Sequence, residues 1–149
     1  MIQRIQSIFL LLAAGAFGGQ FGLPYLQTPE NDPARTVPAL TDGVFNPLDN
    51  PGLLGLTCLG AVVSLAAIFL FKNRMLQARL AGVSIIVAVL LMALVAFAAK
   101  TTIDQTPSGG TVNFAVGLAL PVLALALNWL ASRAIKKDEA LVRSMDRLR

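Results

Sequence analysis

Three stretches of this chain carry no charged residue: Gly52 to Phe71, Leu80 to Ala99 and Val112 to Ser132. Each is about as long as the 20-residue helix that crosses roughly 30 Å of hydrocarbon at 1.5 Å per residue. A backbone in lipid has no water to bond to, so such stretches must be helical despite their Val and Ile content. A fourth stretch, Ile5 to Leu26, is also uncharged but weaker. It contains Gln6, Gln20, Gly15, Gly18, Gly19 and Gly22.

The composition agrees with a membrane protein. Charged residues make up 13% of the 149 residues, against roughly 25% in an ordinary soluble domain. Mean hydropathy is +0.71. Cys58 is the only cysteine, so no intrachain disulfide can form. There is no histidine, hence neither the commonest general base nor the commonest metal ligand.

The opening MIQRIQSIFLLLAAGAFGGQFG has the basic start, apolar run and small residues of a cleavable signal. Its apolar character continues past Ala16 through Phe17, Phe21, Leu23, Tyr25 and Leu26 to full membrane length. Gly15 and Gly19, and Gly18 and Gly22, also have the small-xxx-small spacing that lets two membrane helices approach closely. The expectation is a retained first helix. The predicted fold is an all-α membrane protein, a single domain over 1–149. Its four transmembrane helices lie at about 5–26, 52–71, 80–99 and 112–132, with outer loops 27–51 and 100–111. A cytoplasmic tail, 133–149, forms a short amphipathic C-terminal helix.

Charge sorts the connections. Arg4, Lys72, Arg74, Arg79, Arg133, Lys136, Lys137, Arg143, Arg147 and Arg149 share one side with Asp138, Glu139 and Asp146, giving +7. Arg35 and Lys100 share the other with Glu30, Asp32, Asp42, Asp49 and Asp104, giving −3. An excess of Lys and Arg in short loops marks the cytoplasmic side, which puts both termini there. Tyr25 and Trp129 are placed as interfacial aromatics at opposite faces.

Lys72 to Arg79 reads as a tight turn. Loop 27–51 has prolines at 29, 33, 38, 47 and 51 and too few apolar residues for a core of its own. Asn50 followed by Pro51 is a helix start signal. Pro107-Ser108-Gly109-Gly110 marks a turn in the second outer loop. On a helix the tail IKKDEALVRSMDRLR groups Leu141, Met145 and Leu148 on one face and sets Arg143 and Arg147 opposite.

The passages MIQRIQSIFLLLAA and KKDEALVRSMDRLR, with four apolar spans between and around them, resemble a family of Bacteroidota inner-membrane proteins, domain of unknown function 4293. The likeness covers the whole chain. It implies a bacterial inner membrane and a retained first helix, and it supplies no catalytic residue.

The chemistry is sparse. Every Asp, Glu, Lys and Arg lies outside the four spans, whereas transport of ions or protons usually places charge at depth. Gln20 and Asn128 read as helix-packing residues. Pro121 is expected inside helix 4, where it would free the Gly117 carbonyl and kink the helix. Cys58 has no evident base, and Asp32, Asp42 and Asp49 match no calcium loop. No enzyme activity, cofactor, metal or nucleic-acid partner is expected. The reading is an accessory or structural subunit that contacts membrane lipids and packs on another membrane protein or on itself. Helix packing falls to Gly15, Gly18, Gly19 and Gly22. Partner or lipid contact falls to Leu141, Arg143, Met145, Arg147 and Leu148. The alternative is a small oligomeric transporter or channel.

Overall fold

The structure, a computed structural model, describes residues 2–70 and 73–146, with side chains described for 5–70, 73 and 75–142. Four helices dominate it: α1 (Ile2–Gly19), α2 (Pro51–Phe69), α3 (Arg74–Asp104) and α4 (Ala119–Asp146). They form an up-and-down bundle in which α1 packs on α2 and α4, and α3 packs on the same two. Three of its helical stretches, Pro51–Phe69, Met75–Asp104 and Val116–Val142, are long and apolar enough to cross a membrane. The apolar part of α1, Ile5–Gly19, is shorter.

The buried seam of every helix advances by alternate steps of three and four. In α1 it runs Gln6, Leu10, Ala13, Phe17, Gln20, and in α2 Leu53, Thr57, Gly60, Ser64, Ala67. In α3 it runs Gln77, Ala81, Ser84, Ala88, Leu91, Val95, Ala98, Thr102, and in α4 Pro121, Ala124, Asn128, Ala131, Ile135. That step pattern is the 3.5-residue repeat of left-handed bundles. The seam is rich in small and polar residues, while Ile8, Leu11, Val62, Phe69, Ile86 and Phe97 are at least half exposed. This distribution suits a lipid surround. Large apolar side chains gain nothing by leaving hydrocarbon, whereas small ones let backbones close up. Phe17 shows how tight the closure is: a Cβ on Gly60 would overlap its ring.

Several boundaries differ from the sequence expectation. Helix 1 ends at Gly19 instead of residue 26, because Gly18-Gly19, Gly22 and Pro24 unwind the chain through tight turns. Helix 2 starts at Pro51 as expected from its cap: the Asn50 side chain accepts from the N–H groups of Gly52 (2.9 Å) and Leu53 (3.3 Å). Helix 3 is 31 residues long instead of twenty, and it starts at Arg74 under an Asn73 cap. Pro121 does not kink helix 4. It is the third residue of α4, in the first turn, where its missing N–H has no intrahelical partner to lose. The tail is not a separate helix either. No Gly or Pro interrupts the chain after Pro121, and α4 continues to Asp146 as one 28-residue helix of about 42 Å.

The loop over 27–51 has no core of its own but shares one with the bundle and with the loop that joins α3 to α4. Strands β1 (Leu26–Gln27), β2 (Val44–Phe45) and β3 (Asn113–Phe114) form an antiparallel sheet in the order β2-β1-β3. Leu26 is in register with both Phe45 and Phe114. Tyr25, Leu26, Ala34, Val37, Leu40 and Phe45 are buried and join the Phe17, Leu53 and Leu91 end of the bundle in one apolar cluster. The fold is therefore a helical bundle with a small β-cap.

Candidate functional site

Three regions gather the polar chemistry. The first is the seam. Ser64 of α2 and Ser84 of α3 share a hydrogen bond of 2.8 Å, and the Ser64 hydroxyl also donates to Asn128 Oδ1 of α4 at 3.4 Å. Asn128 Nδ2 donates to the Ala124 carbonyl at 2.9 Å. These three buried side chains lie between two apolar clusters, one toward the cap and one around Leu10, Ala67, Ala81, Ala131 and Ile135. Toward the other end of α1, Gln6 Nε2 donates to the Ala134 carbonyl of α4 at 3.1 Å. The Ser64–Ser84, Ser64–Asn128 and Gln6–Ala134 bonds tie different helices, and interhelical bonds of this kind between membrane helices average about 0.6 kcal/mol. The expectation for Asn128 holds.

The second region is the junction of cap and bundle. Gln20 Nε2 donates to the Ala16 carbonyl at 3.2 Å, and its Oε1 accepts from the Tyr25 hydroxyl at 2.5 Å. Gln20 thus anchors the cap, not a neighbouring helix. Tyr25 is fully buried beneath the cap and is not an interfacial residue, with its ring 6.1 Å from that of Phe45. Burial pushes its phenol up to about 12, and the adjacent Thr57 hydroxyl offsets part of that rise. The Gly117 N–H donates to the Pro24 carbonyl at 3.0 Å, and a Cβ there would run into the Leu23 and Pro24 carbonyl oxygens.

The acids of this region work as local staples. Asp32 accepts from the Ala34 N–H (2.8 Å) and from both the N–H (3.0 Å) and hydroxyl of Thr111, tying the α1–α2 and α3–α4 loops across 79 residues. These donors hold its carboxyl below the usual aspartate range, the Thr111 hydroxyl most of all. Asp42 accepts from Val44 N–H at 3.2 Å, and Asp49 from Asn46 N–H at 2.7 Å. Partial burial raises the Asp49 carboxyl. Among the described residues, no group of three or more His, Cys, Asp or Glu is placed to hold a metal ion.

The third region is the opposite end, where α4 presents Arg133, Lys136 and Lys137 to solvent. Trp129 is 52% exposed there, with the Arg133 guanidinium carbon 5.5 Å from its ring centroid.

Of the glycines expected to pack helices, Gly15 and Gly18 face away from the rest of this chain. Nothing in the chain lies within 4 Å of a Cβ built on Gly15 or Gly18. Gly19 meets only the Leu120 side chain at 3.4 Å, and Gly22 only the Gly19 carbonyl at 3.9 Å. Close approach within the chain is made at Gly60 and Gly117 instead. Of the tail residues, Leu141 is 45% exposed. The side chains of Arg143 and Met145, and all of Arg147 and Leu148, lie outside the described residues.

The family model described as Domain of unknown function (DUF4293) matches residues 2–148. No curated protein and no solved structure matches the chain.

Proposed function

The chain belongs to the domain of unknown function family DUF4293, and on that footing we propose that it is a four-span accessory protein of a bacterial inner membrane. In this reading it has no enzyme activity, both termini are cytoplasmic, and it packs against another membrane protein. The observation that carries the reading is the outward face of α1. Leu11, Gly15 and Gly18 recur at steps of four and three and are all exposed. Glycine in a helix is about 1 kcal/mol less favourable than alanine, and no contact within the chain offsets that at Gly15 or Gly18. A second helix seated on this face would, because it could approach the bare backbone.

Four spans are supported by the antiparallel course of α1 beside α4, joined at Gln6 to Ala134 near one end and Gly19 to Leu120 at the other. The charge sum of +7 against −3 supports the orientation. For a transporter or channel the seam would have to open. The hydroxyl and amide groups of Ser64, Ser84 and Asn128 bond one another and the Ala124 carbonyl, which supports packing as their role.

The test is Gly15→Leu with Gly18→Leu, read by co-purification in mild detergent. The pair should lose its partner while the thermal unfolding of the chain itself is unchanged, and Leu11→Ala should keep the partner. Retention of the partner by the double variant would overturn the reading. A reporter fused after Arg149 should register as cytoplasmic.

A further inference from the structure

On α4, Trp129, Ser132, Arg133 and Lys136 stand at i, i+3, i+4 and i+7 and so share one helix face. With Ile85 of α3 they line an open cleft of about 320 Å³ beside the α3–α4 seam. The uncharged run of α4 ends at Ser132, so the cleft straddles the depth at which hydrocarbon gives way to head groups. Its floor is apolar, from Ile85 and the Trp129 ring, and its rim carries two cations. Among the described residues no carboxylate lines it. The Trp129 ring holds the Arg133 guanidinium against the cleft without neutralising it.

The cleft near the cap provides a contrast. Ala96, Ala99, Lys100, Ile103, Phe114 and Leu118 enclose about 350 Å³ there. Its single cation, Lys100, is paired with Asp104 at 2.6 Å. Size and apolar lining are similar in the two clefts; unneutralised positive charge separates them.

We propose that the Trp129–Arg133–Lys136 cleft binds an anionic phospholipid of the adjoining leaflet. The phosphate sits between Arg133 and Lys136, and an acyl chain runs down over Trp129 and Ile85. Charge complementarity selects the head group, and position at the end of the uncharged run selects a lipid over a soluble anion.

Trp129 is the only tryptophan in the chain, so its fluorescence reports on the cleft. The full chain is placed in phosphatidylcholine vesicles containing brominated phosphatidylglycerol or brominated phosphatidylcholine, whose bromines quench tryptophan on contact. The anionic lipid should quench at lower mole fraction, with a relative binding constant of about fivefold or more, the factor that attraction to one cation supplies. Lys136→Gln should reduce that preference, and Arg133→Gln with Lys136→Gln should bring it near one. Circular dichroism checks that each variant is folded, and the single variant serves if the double one is not. Lys137→Gln, which removes an equal charge outside the cleft, should leave the preference in place. Millimolar inorganic phosphate should not relieve the quenching. Equal quenching by the two lipids, a preference that survives loss of Lys136, equal losses for Lys136→Gln and Lys137→Gln, or displacement by inorganic phosphate would each overturn the assignment.

Discussion

The cap and the bundle bury side chains by opposite rules. In the cap, Tyr25, Leu26, Leu40 and Phe45 are large, apolar and almost fully buried. In the bundle most buried positions are small or polar, Gly60, Ser64, Ala67, Ala81, Ser84, Ala88, Ala124, Asn128 and Ala131; Leu10, Phe17, Leu91 and Ile135 are large buried exceptions, while Ile8, Leu11, Val62, Ile86 and Phe97 face outward. In the proposed topology the cap stands in water, where each buried aromatic or aliphatic side chain contributes about 1.5–3 kcal/mol. In that topology the helices stand in lipid, where that driving force is absent and contact depends on how closely backbones approach. One chain therefore carries two hydrophobic codes, and the same substitution should have different consequences under each.

The sharpest way to break this comparison is to truncate one large apolar residue on each side of it. Phe45→Ala removes a buried ring from the cap, and such changes are worth about 3–5 kcal/mol in an aqueous core. Leu11→Ala removes a side chain that is 57% exposed, so the chain in detergent should lose almost nothing. Thermal unfolding in mild detergent, with hydrogen exchange at the Tyr25 and Thr28 amides as the cap reporter, separates the two. Comparable losses at both sites would mean that the cap is not held by burial from water.

The next effect belongs to the junction. Gly117→Ala drives a methyl group into the carbonyls of Leu23 and Pro24, which are backbone atoms and cannot rotate away. Overpacking of this kind is worth about 1–3 kcal/mol. The cap amides should lose protection while the bundle stays helical. Gly15→Ala is the counterpart on the open face of α1. There the better helix propensity of alanine should leave stability equal or slightly higher. A Gly117→Ala protein as stable as Gly15→Ala would show that cap and bundle do not meet as closely as the Pro24 to Gly117 hydrogen bond implies.

Much of this architecture was legible in the sequence, and the misses have physical causes. Uncharged length located the helices, because lipid excludes charge whatever the detailed packing. The same measure overran α1: it counted Phe21, Leu23, Tyr25 and Leu26 as span and passed over Gly18-Gly19, Gly22 and Pro24, the stop signals within it. The cap was missed because its core is assembled from pieces that are individually poor. Two-residue strands and short turns at Pro33–Thr36 and Pro38–Leu40 have no periodicity of their own, and their partners come from α1, α2 and β3. The seam was present as a pattern. Thr57 and Ser64, Gln77 and Ser84, and Ala124 and Ala131 are each seven residues apart. Within a long apolar run a small or polar residue is the informative one, and glycine spacing alone does not separate the face turned into the bundle from the face turned away from it.

A smaller effect tests the bundle's own code. Asn128→Leu removes the acceptor for Ser64 and fills the polar layer between the two apolar clusters. Interhelical bonds of this kind average about 0.6 kcal/mol and reach about 1.7. Thermal stability in detergent should fall by an amount in that range, with the cap amides unaffected. A change as large as that from Phe45→Ala would mean that polar bonding, not close backbone approach, dominates the bundle.

The smallest effect is a pH dependence confined to the cap. Asp32 holds the two outer loops together as a carboxylate, and its donors, the Thr111 hydroxyl first, keep its titration below the ordinary aspartate range. A depressed folded value means that the unfolded chain takes up the proton first. Its contribution is complete above the ordinary value, about pH 4, and is lost as pH falls through the folded one. Asp49 runs the other way. Partial burial raises its carboxyl, so protonation favours the folded cap as pH falls through that raised value. In the native chain the two trends oppose each other. Asp32→Asn should therefore flatten the loss of cap protection below pH 4, Asp49→Asn should steepen it, and Thr111→Val should behave like a partial Asp32→Asn. None of the three should alter the acid stability of the Ser64–Ser84–Asn128 layer, which holds no titratable group. The measurement is protease resistance of the outer loops in detergent across pH 3 to 7, using an acid-active protease at the low end. If Asp32→Asn leaves the acid profile unchanged, the bonds across 79 residues from Asp32 to Thr111 do not hold the outer loops together in solution.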